Sequence, residues 1–250
     1  MDSQVFLGIA IASGDRPFTA LVIDRNLCIH SLHQINLNEL LAFISKFDQV
    51  LLGINAPSGL NQGLLDNNAP LPGMFMGPGR PRKFNMRQAE FDLIKLDLPA
   101  RETPSNMRNC PRWMRLGFKL YACLRDMGFS HYDGGQAAKQ FFEVKGETGF
   151  FGLNKHELYL SRSLEGRIQR QLILYREGLR IKNPMVFFEE VTPFRLLAST
   201  LPVDLIYEEV ELNAMLAAYT ALLIETQEER VRKFGDEEEG IVYVPFCKTD

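Results

Sequence analysis

The chain has 250 residues, of which 46% are hydrophobic and 24% are charged, the proportions of an ordinary globular protein. A chain of this length buries enough apolar surface to fold without disulfides or a structural metal. Its four scattered cysteines form no Cys-x-x-Cys pair, which argues against a disulfide framework and a zinc site. The net charge of −3 does not restrict the class of partner.

No apolar run in the sequence approaches the ~18 residues that are needed to span a bilayer. No basic residue precedes the first apolar run, so a signal peptide is not indicated either. We therefore expect a cytoplasmic protein with no membrane partner. The length fits a single domain over residues 1–250, with room for a sizeable insertion.

The first part of the chain is predicted to form strands joined by short turns. Three apolar runs are separated by Ser-Gly-Asp-Arg-Pro and Asp-Arg-Asn turns, a pattern that predicts an antiparallel meander. Residues 37–46 have apolar residues at helical spacing, with Asn36 as the N-cap. Residues 50–54 are a continuous apolar run, typical of a strand buried on both faces. The three runs of the meander are 5–11, 18–23 and 27–32.

The second part of the chain is predicted to be mainly helical. Residues 56–84 are rich in Pro, Gly, Asn and Met and are predicted to be irregular. With the helices that follow, they form a predicted irregular and helical insertion at about 60–135. Residues 185–190 indicate either a strand or the start of a helix. Further predictions are helices at 85–95, 111–127, 164–176 and 207–226, and strands at 140–144 and 240–245.

Eight short motifs extend over nearly the whole chain in a fixed order. They are GIAIASG, GINAP, RQAE, FEV, EGRIQR, FEEVT, LNAMLAAYTA and EEGIVYVP. The predicted element order β-β-β-α-β-α-β-α is that of the ribonuclease H-like fold. Together, the motifs and this order resemble the DUF429 family, which is described as predicted ribonuclease H-like nucleases. The resemblance is carried by the ordered set rather than by any one motif.

The resemblance implies a catalytic site whose acids this chain has mostly lost. The family's pattern has acids near the end of the first strand, after the fourth strand and on the late helix, where this sequence has Ala10, Asn55 and Asn213. Glu143 is the one carboxylate that remains in the implied set. Two-metal phosphodiester cleavage needs carboxylates to hold two Mg²⁺ or Mn²⁺ ions. Replacement of three acids therefore predicts loss of that chemistry, and no other cofactor is implied.

A rebuilt metal site is the alternative prediction. Glu209 precedes Asn213 by one helical turn and shares its helix face. Together with Glu143 and with Glu189 or Glu190, it could hold a Mg²⁺ or Mn²⁺ ion. The opposing interpretation is that these carboxylates are surface or salt-bridged side chains, and the sequence leaves both open.

Basic residues are concentrated in one stretch of the chain. Residues 80–125 contain eleven Lys or Arg and four Asp or Glu, which indicates either a basic face that meets an anion or a solvated helix surface. Arg167 and Arg170 lie one helical turn apart, where they would clamp a phosphate or simply solvate their helix. Arg87 has the same spacing from Glu90 and could pair with it. The candidate binding residues are Arg80, Arg82, Arg87, Arg112, Arg115, Arg167 and Arg170.

The sequence thus predicts an α/β protein with a ribonuclease H-like mixed sheet. Three antiparallel strands are followed by parallel strands, the sheet is flanked by helices, and a helical insertion is present. The function we expect is non-catalytic binding of nucleic acid or a nucleotide, in a binding or regulatory role. The alternatives are an active metal-dependent phosphodiesterase with a rearranged carboxylate site, and an enzyme of another kind that acts on a small phosphorylated or nucleotide ligand.

Overall fold

The computed structural model describes residues 5–65, 85–135 and 137–248. The strands are β1 (Val5–Ile11), β2 (Phe18–Ile23), β3 (Ile29–Ile35), β4 (Val50–Asn55), β5 (Ser130–His131), β6 (Lys139–Val144), β7 (Val231–Asp236) and β8 (Gly240–Pro245). The helices are α1 (Leu37–Ile44), α2 (Gln88–Lys95), α3 (Arg112–Asp126), α4 (Gly146–Asn154), α5 (Leu164–Arg176), α6 (Val186–Glu190), α7 (Pro193–Leu197) and α8 (Glu209–Thr226). Short 3-10 turns occur at Met107–Asn109, Val203–Leu205 and Glu228–Arg230.

In these residues the strands form one eight-stranded mixed sheet. The main order is β3-β2-β1-β4-β6-β8-β7, and the short β5 also pairs with β6. β2 is antiparallel to both of its neighbours, β1 and β3. β1, β4, β6 and β8 are parallel to one another, and β7 returns antiparallel to β8. This confirms the predicted fold class, a mixed sheet of antiparallel and then parallel strands, consistent with a ribonuclease H-like arrangement.

Helices cover both faces of the sheet because its central strands are apolar on both sides. On one face α8 packs over β1, β2 and β4, in a core that includes Phe6 and Phe142. On the other face α1 and α3 cover a second core that includes Leu7, Ile54 and Phe141. Within the described ranges, none of the helices is both long enough and apolar enough to cross a bilayer.

Helix α8 lies in direct backbone contact with the sheet. A Cβ built on Gly8 of β1 would be 1.9 Å from the carbonyl oxygen of Ala214, and one built on Gly53 of β4 would be 2.4 Å from that of Ala217. Glycine at these two strand positions therefore permits the close approach. The approach also fixes where the side chain before Ala214, that of Asn213, meets the end of the sheet.

Several element predictions differ from the structure. The third strand begins at Ile29 rather than 27, because Leu27 has φ of 60° and its amide closes a turn onto the Asp24 carbonyl. Residues 185–190 contain the short helix α6, which decides between the two predicted alternatives. Helices α4 and α7 and strands β5 and β7 were not predicted. Of the predicted insertion, residues 66–84 lie outside the described residues.

Candidate functional site

Two asparagines meet at the carboxyl end of the parallel strands. Asn55 is the last residue of β4 and lies opposite Ala10 of β1. Its Oδ1 accepts a 2.9 Å hydrogen bond from the amide of Gly146, the first residue of α4. A Cβ built on Gly146 would lie 2.2 Å from Oδ1 of Asn213 and 3.4 Å from Nδ2 of Asn55. The two asparagines therefore flank the start of α4, where only a glycine fits between them.

Glu143 lies on the opposite face of the sheet from this pair. Side chains alternate along a strand, and its neighbours Phe142 and Val144 pack with Ala10 in the core beneath α8. Glu143 instead points to the α3 side, where its Oε2 accepts a 2.8 Å hydrogen bond from the amide of Ser58. The four positions implied by the resemblance thus do not form one side-chain cluster. Ala10 is 1% exposed and contributes no polar atom.

A buried arginine holds the Glu143 carboxylate. The Arg87 side chain is 0% exposed, and its Nη1 and Nη2 donate to Oε2 and Oε1 of Glu143 at 2.9 and 2.5 Å. Its Nε and Nη2 also donate to Oε1 of Glu90, at 3.0 and 2.7 Å. Lys145 Nζ lies 2.9 Å from the same oxygen, and the Thr103 hydroxyl donates to it at 2.8 Å. Arg87 is therefore not available as a ligand-binding residue, because its donors are used inside the protein, and its predicted pairing with Glu90 is confirmed.

The charges of this network compensate one another. Burial by itself would raise the pKa of Glu90, but the charges of Lys145 and Arg87 lower it to about 2. Burial would likewise lower the pKa of Arg87, but Glu143 and Glu90 raise it well above its usual value. The bidentate arginine occupies both oxygens of Glu143, so this carboxylate is not free to bind a metal ion.

A cleft of about 960 Å³ opens beside Asn55 and Asn213. Its walls come from the ends of β1 and β4 and from α3, α4, α5 and α8, and Trp113 of α3 lies on one wall. Ala10 and Glu143 do not line it. The charged side chains of its walls are five basic and three acidic ones: Arg101, Lys145, Arg162, Arg167, Arg170, Glu147, Glu208 and Glu209.

Two arginines that line the cleft each have one buried side-chain nitrogen without a hydrogen-bond partner. The Arg170 side chain is 1% exposed, and its Nη1 donates to the carbonyls of Tyr159 and Gly166 at 2.9 Å each. Its Nη2 has no hydrogen-bond partner. Arg167 pairs through Nη1 with Glu208, but its buried Nε has no partner. Across the part of the chain that the structure describes, no other buried side-chain nitrogen or oxygen lacks a partner. A buried donor without an acceptor lowers the stability of the protein. An acceptor supplied by a ligand would remove this cost for both atoms.

The charge of Arg170 is only partly compensated. Burial lowers its pKa, and the nearby carboxylates of Glu147 and Glu209 offset this in part. An arginine nevertheless stays protonated in proteins. The cleft therefore contains a cation that has lost its water without gaining a full counter-charge.

Of the other candidate residues that the structure describes, Glu209 lines the cleft and the rest lie outside it. Glu209 accepts a 2.6 Å hydrogen bond from Ser161 and pairs with Arg162, and Glu190 on the exposed α6 pairs with Arg195. Glu189 is also exposed on α6, so the rebuilt site of Glu143 and Glu209 with Glu189 or Glu190 is not assembled. Arg112 and Arg115 are exposed on α3 outside the cleft walls, and Arg80 and Arg82 fall outside the described residues.

The residues at the strand ends do not fit two Mg²⁺ or Mn²⁺ ions. Such ions take oxygen ligands that usually include carboxylates, whereas Asn55 and Asn213 are neutral and Ala10 has no side-chain oxygen. Oδ1 of Asn55 already accepts the Gly146 amide. In residues 5–65, 85–135 and 137–248, no group of three or more His, Cys, Asp or Glu is placed to hold a metal ion.

Comparison of the chain with protein-family models, curated proteins and solved structures found no match. Membership of the DUF429 family therefore stays a prediction from the motifs in the sequence.

Several cleft residues were missed by the sequence reasoning. Lys145 and Glu147 flank Gly146 at the start of α4. The sequence of this helix, GETGFFGLN, is rich in glycine and does not predict a helix. The sequence feature that could have indicated them is Lys-Gly-Glu-Thr directly after a buried strand. Ligands commonly bind at the carboxyl ends of parallel strands. Arg101 and Arg162 lie outside helices and strands and gave no signal.

Proposed function

We propose that this protein binds a phosphate-bearing ligand, a nucleotide or a segment of nucleic acid, in the cleft beside Asn55 and Asn213. It does so as a binding or regulatory protein, without two-metal cleavage. The observation that carries the proposal is the pair of buried, unpaired arginine donors on α5, Nη2 of Arg170 and Nε of Arg167. Both residues line the cleft.

Phosphate is the ligand group that these donors suit best. Arg170 is fixed by two backbone carbonyls through Nη1, so Nη2 is held in place before any ligand arrives. Arginine forms short, charge-assisted hydrogen bonds with phosphate oxygens, and a preorganised guanidinium loses little entropy in doing so. Basic residues outnumber acidic ones on the cleft walls, which favours an anion.

Trp113 extends the proposal from phosphate to nucleotide. Its side chain is half-buried on the cleft wall, on a different helix from the two arginines. Nucleobases stack on such rings regardless of their identity, with about 1–3 kcal/mol per base. A ligand with a phosphate at one end and a planar base at the other could place the phosphate at Arg167 and Arg170 and the base on Trp113, which line the same cleft.

Loss of cleavage follows from the side chains at the strand ends. Two neutral asparagines and an alanine stand where the family's pattern has acids, and the remaining glutamate is bound to Arg87 on the other face. Nothing in this set offers two dications the negative charge they need. The same asparagines can still hydrogen-bond the sugar or phosphate of a ligand, since each amide has donors and acceptors.

The protein contains a single tryptophan, so the fluorescence of Trp113 reports directly on the cleft. We expect nucleotides and short single-stranded oligonucleotides to produce a saturable fluorescence change. Arg167→Gln should weaken binding about tenfold, because a hydrogen bond from a charged donor contributes about 1.5–3 kcal/mol. The matched control is Arg176→Gln on the last turn of the same helix, which lies outside the cleft and should leave affinity unchanged.

Two results would contradict the proposal. One is the lack of any saturable change with nucleotides or oligonucleotides. The other is an equal loss of affinity in Arg167→Gln and Arg176→Gln, which would show that α5 contributes only general positive charge. If binding is observed, the relative affinities for mononucleotides and oligonucleotides show which of the two ligand sizes the cleft binds.

A further inference from the structure

One acidic side chain lies between two arginines of the cleft without bonding to either. Oε1 of Glu147 is 3.8 Å from Nη2 of Arg170, and its Oε2 is 3.9 Å from Nη2 of Arg101. Both distances exceed the usual hydrogen-bond range. The Glu147 side chain is 43% exposed. Its carboxylate is therefore held near the unpaired Arg170 donor by charge alone, and water can reach it.

The same carboxylate stands at the N-terminus of a helix. Glu147 is the second residue of α4, a nine-residue helix whose first amide is taken by Asn55. The next amides, those of Glu147 and Thr148, have no acceptor within the helix. The N-terminus of a helix, where backbone amides are free, favours the binding of an anion. Glu147 thus belongs to the first turn of α4, and its carboxylate lies 3.8 Å from Nη2 of Arg170.

We propose that Glu147 is a displaceable stand-in for the ligand, and that a terminal phosphate replaces its carboxylate between Arg170 and Arg101. This inference rests on the proposed function and names the ligand class more closely. On binding, the carboxylate turns towards solvent, and a phosphate oxygen accepts the free N–H of Arg170. No covalent bond changes in this exchange.

The exchange favours a terminal phosphate over the phosphodiester within a strand. A terminal phosphate carries about −1.5 to −2 charges at neutral pH and has three acceptor oxygens. It therefore brings more charge to the arginines than the carboxylate that it removes. An internal phosphodiester has one negative charge, the same as Glu147, and gains nothing from the exchange. The ligand class is thus a nucleotide with a terminal phosphate, or a strand with a phosphorylated end.

The test uses inorganic phosphate as the probe and Trp113 fluorescence or calorimetry as the readout. Glu147→Gln removes the competing charge while keeping the side-chain size, and we expect it to bind phosphate about tenfold more tightly than the wild type. The matched control is Glu165→Gln, which removes an acid at the corresponding second position of α5, outside the cleft. It should bind phosphate as the wild type does.

A second variant tests the arginine side of the same subsite. Arg101 is 75% exposed, so Arg101→Gln leaves the buried structure intact. In the Glu147→Gln background, it should cancel most of the gain in affinity. An oligonucleotide with a 5′-phosphate should bind more tightly than the same strand with a 5′-hydroxyl, and equal affinities would overturn the choice of a terminal phosphate.

The outcomes separate this inference from the proposed function. If the wild type binds nucleotides, Arg167→Gln weakens that binding, and Glu147→Gln binds phosphate no more tightly, then the stand-in role of Glu147 is wrong and the proposed function stands. If neither the wild type nor any variant binds phosphate or nucleotides, both the inference and the proposed function are wrong. Tighter phosphate binding by Glu147→Gln but not by Glu165→Gln supports the inference.

Discussion

Replacing Arg87 by methionine is expected to lower the free energy of unfolding by about 3–5 kcal/mol. The substitution leaves the carboxylates of Glu143 and Glu90 buried, with only Lys145 to compensate them. Methionine fills part of the space but donates no hydrogen bond. The loss therefore reflects uncompensated buried charge more than lost packing, which distinguishes Arg87 from an exposed arginine that pairs with an acid.

Denaturant unfolding of the wild type and two variants measures this effect. The control is Arg195→Met, which breaks the exposed pair between Arg195 and Glu190 and should cost less than about 1 kcal/mol. A loss in Arg87→Met that is no larger than in Arg195→Met would contradict the account of the buried network. The network also fixes Lys145, which precedes the first residue of α4, so a distorted network should weaken ligand binding as well.

Replacing Gly8 by alanine is expected to cost about 3 kcal/mol or more, at the upper end of what overpacking a core costs. The added Cβ would lie 1.9 Å from the carbonyl oxygen of Ala214 and 2.4 Å from the amide nitrogen of Ala218. Both are backbone atoms of α8, so no side-chain rotation can relieve the contact. Helix α8 would have to move away from the sheet and carry Asn213 away from Gly146.

Thermal and denaturant unfolding of Gly8→Ala, followed by a nucleotide titration of the folded fraction, measure both consequences. Gly59→Ala is the control, since a Cβ there would lie 3.2 Å from its nearest neighbour, the carbonyl oxygen of Glu239. It should cost clearly less than Gly8→Ala. Equal losses in the two variants would mean that α8 does not depend on the glycine at position 8 for its approach to the sheet.

Strands β1, β2 and β4 were predictable because they are nearly continuous apolar runs next to turn residues. Helix α4 was not, because three of its nine residues are glycines, which are poor helix formers. Tertiary contacts explain them: a Cβ on Gly152 would lie 2.4 Å from the carbonyl oxygen of Pro245, and one on Gly149 would lie 2.8 Å from Leu216. Strand β7 is mostly exposed and contains charged residues, and its pairing with β8 is visible only in the structure.

The candidate site was predictable only in part. The motifs pointed to Asn55 and Asn213, and the structure brings both to the start of α4. Glu143 lies near the same edge of the sheet, next to Ile54 of β4, but the alternation of side chains along β6 places its side chain on the other face. A sequence can show that Arg170 is one turn from Arg167. It cannot show that the Nη2 atom of Arg170 is buried without a partner, since this depends on distant carbonyls and carboxylates.

Titration of the wild-type protein with a 5′-phosphorylated oligonucleotide, with a metal chelator and then with Mn²⁺, tests the central claim most directly. The fluorescence of Trp113 reports binding, and a gel of the recovered strand reports cleavage. We expect saturable binding in chelator, no gain in affinity that requires Mn²⁺, and an intact strand. Cleavage in Mn²⁺ would contradict the loss of two-metal catalysis. Binding that appears only with the metal would contradict phosphate binding by the arginines of the cleft.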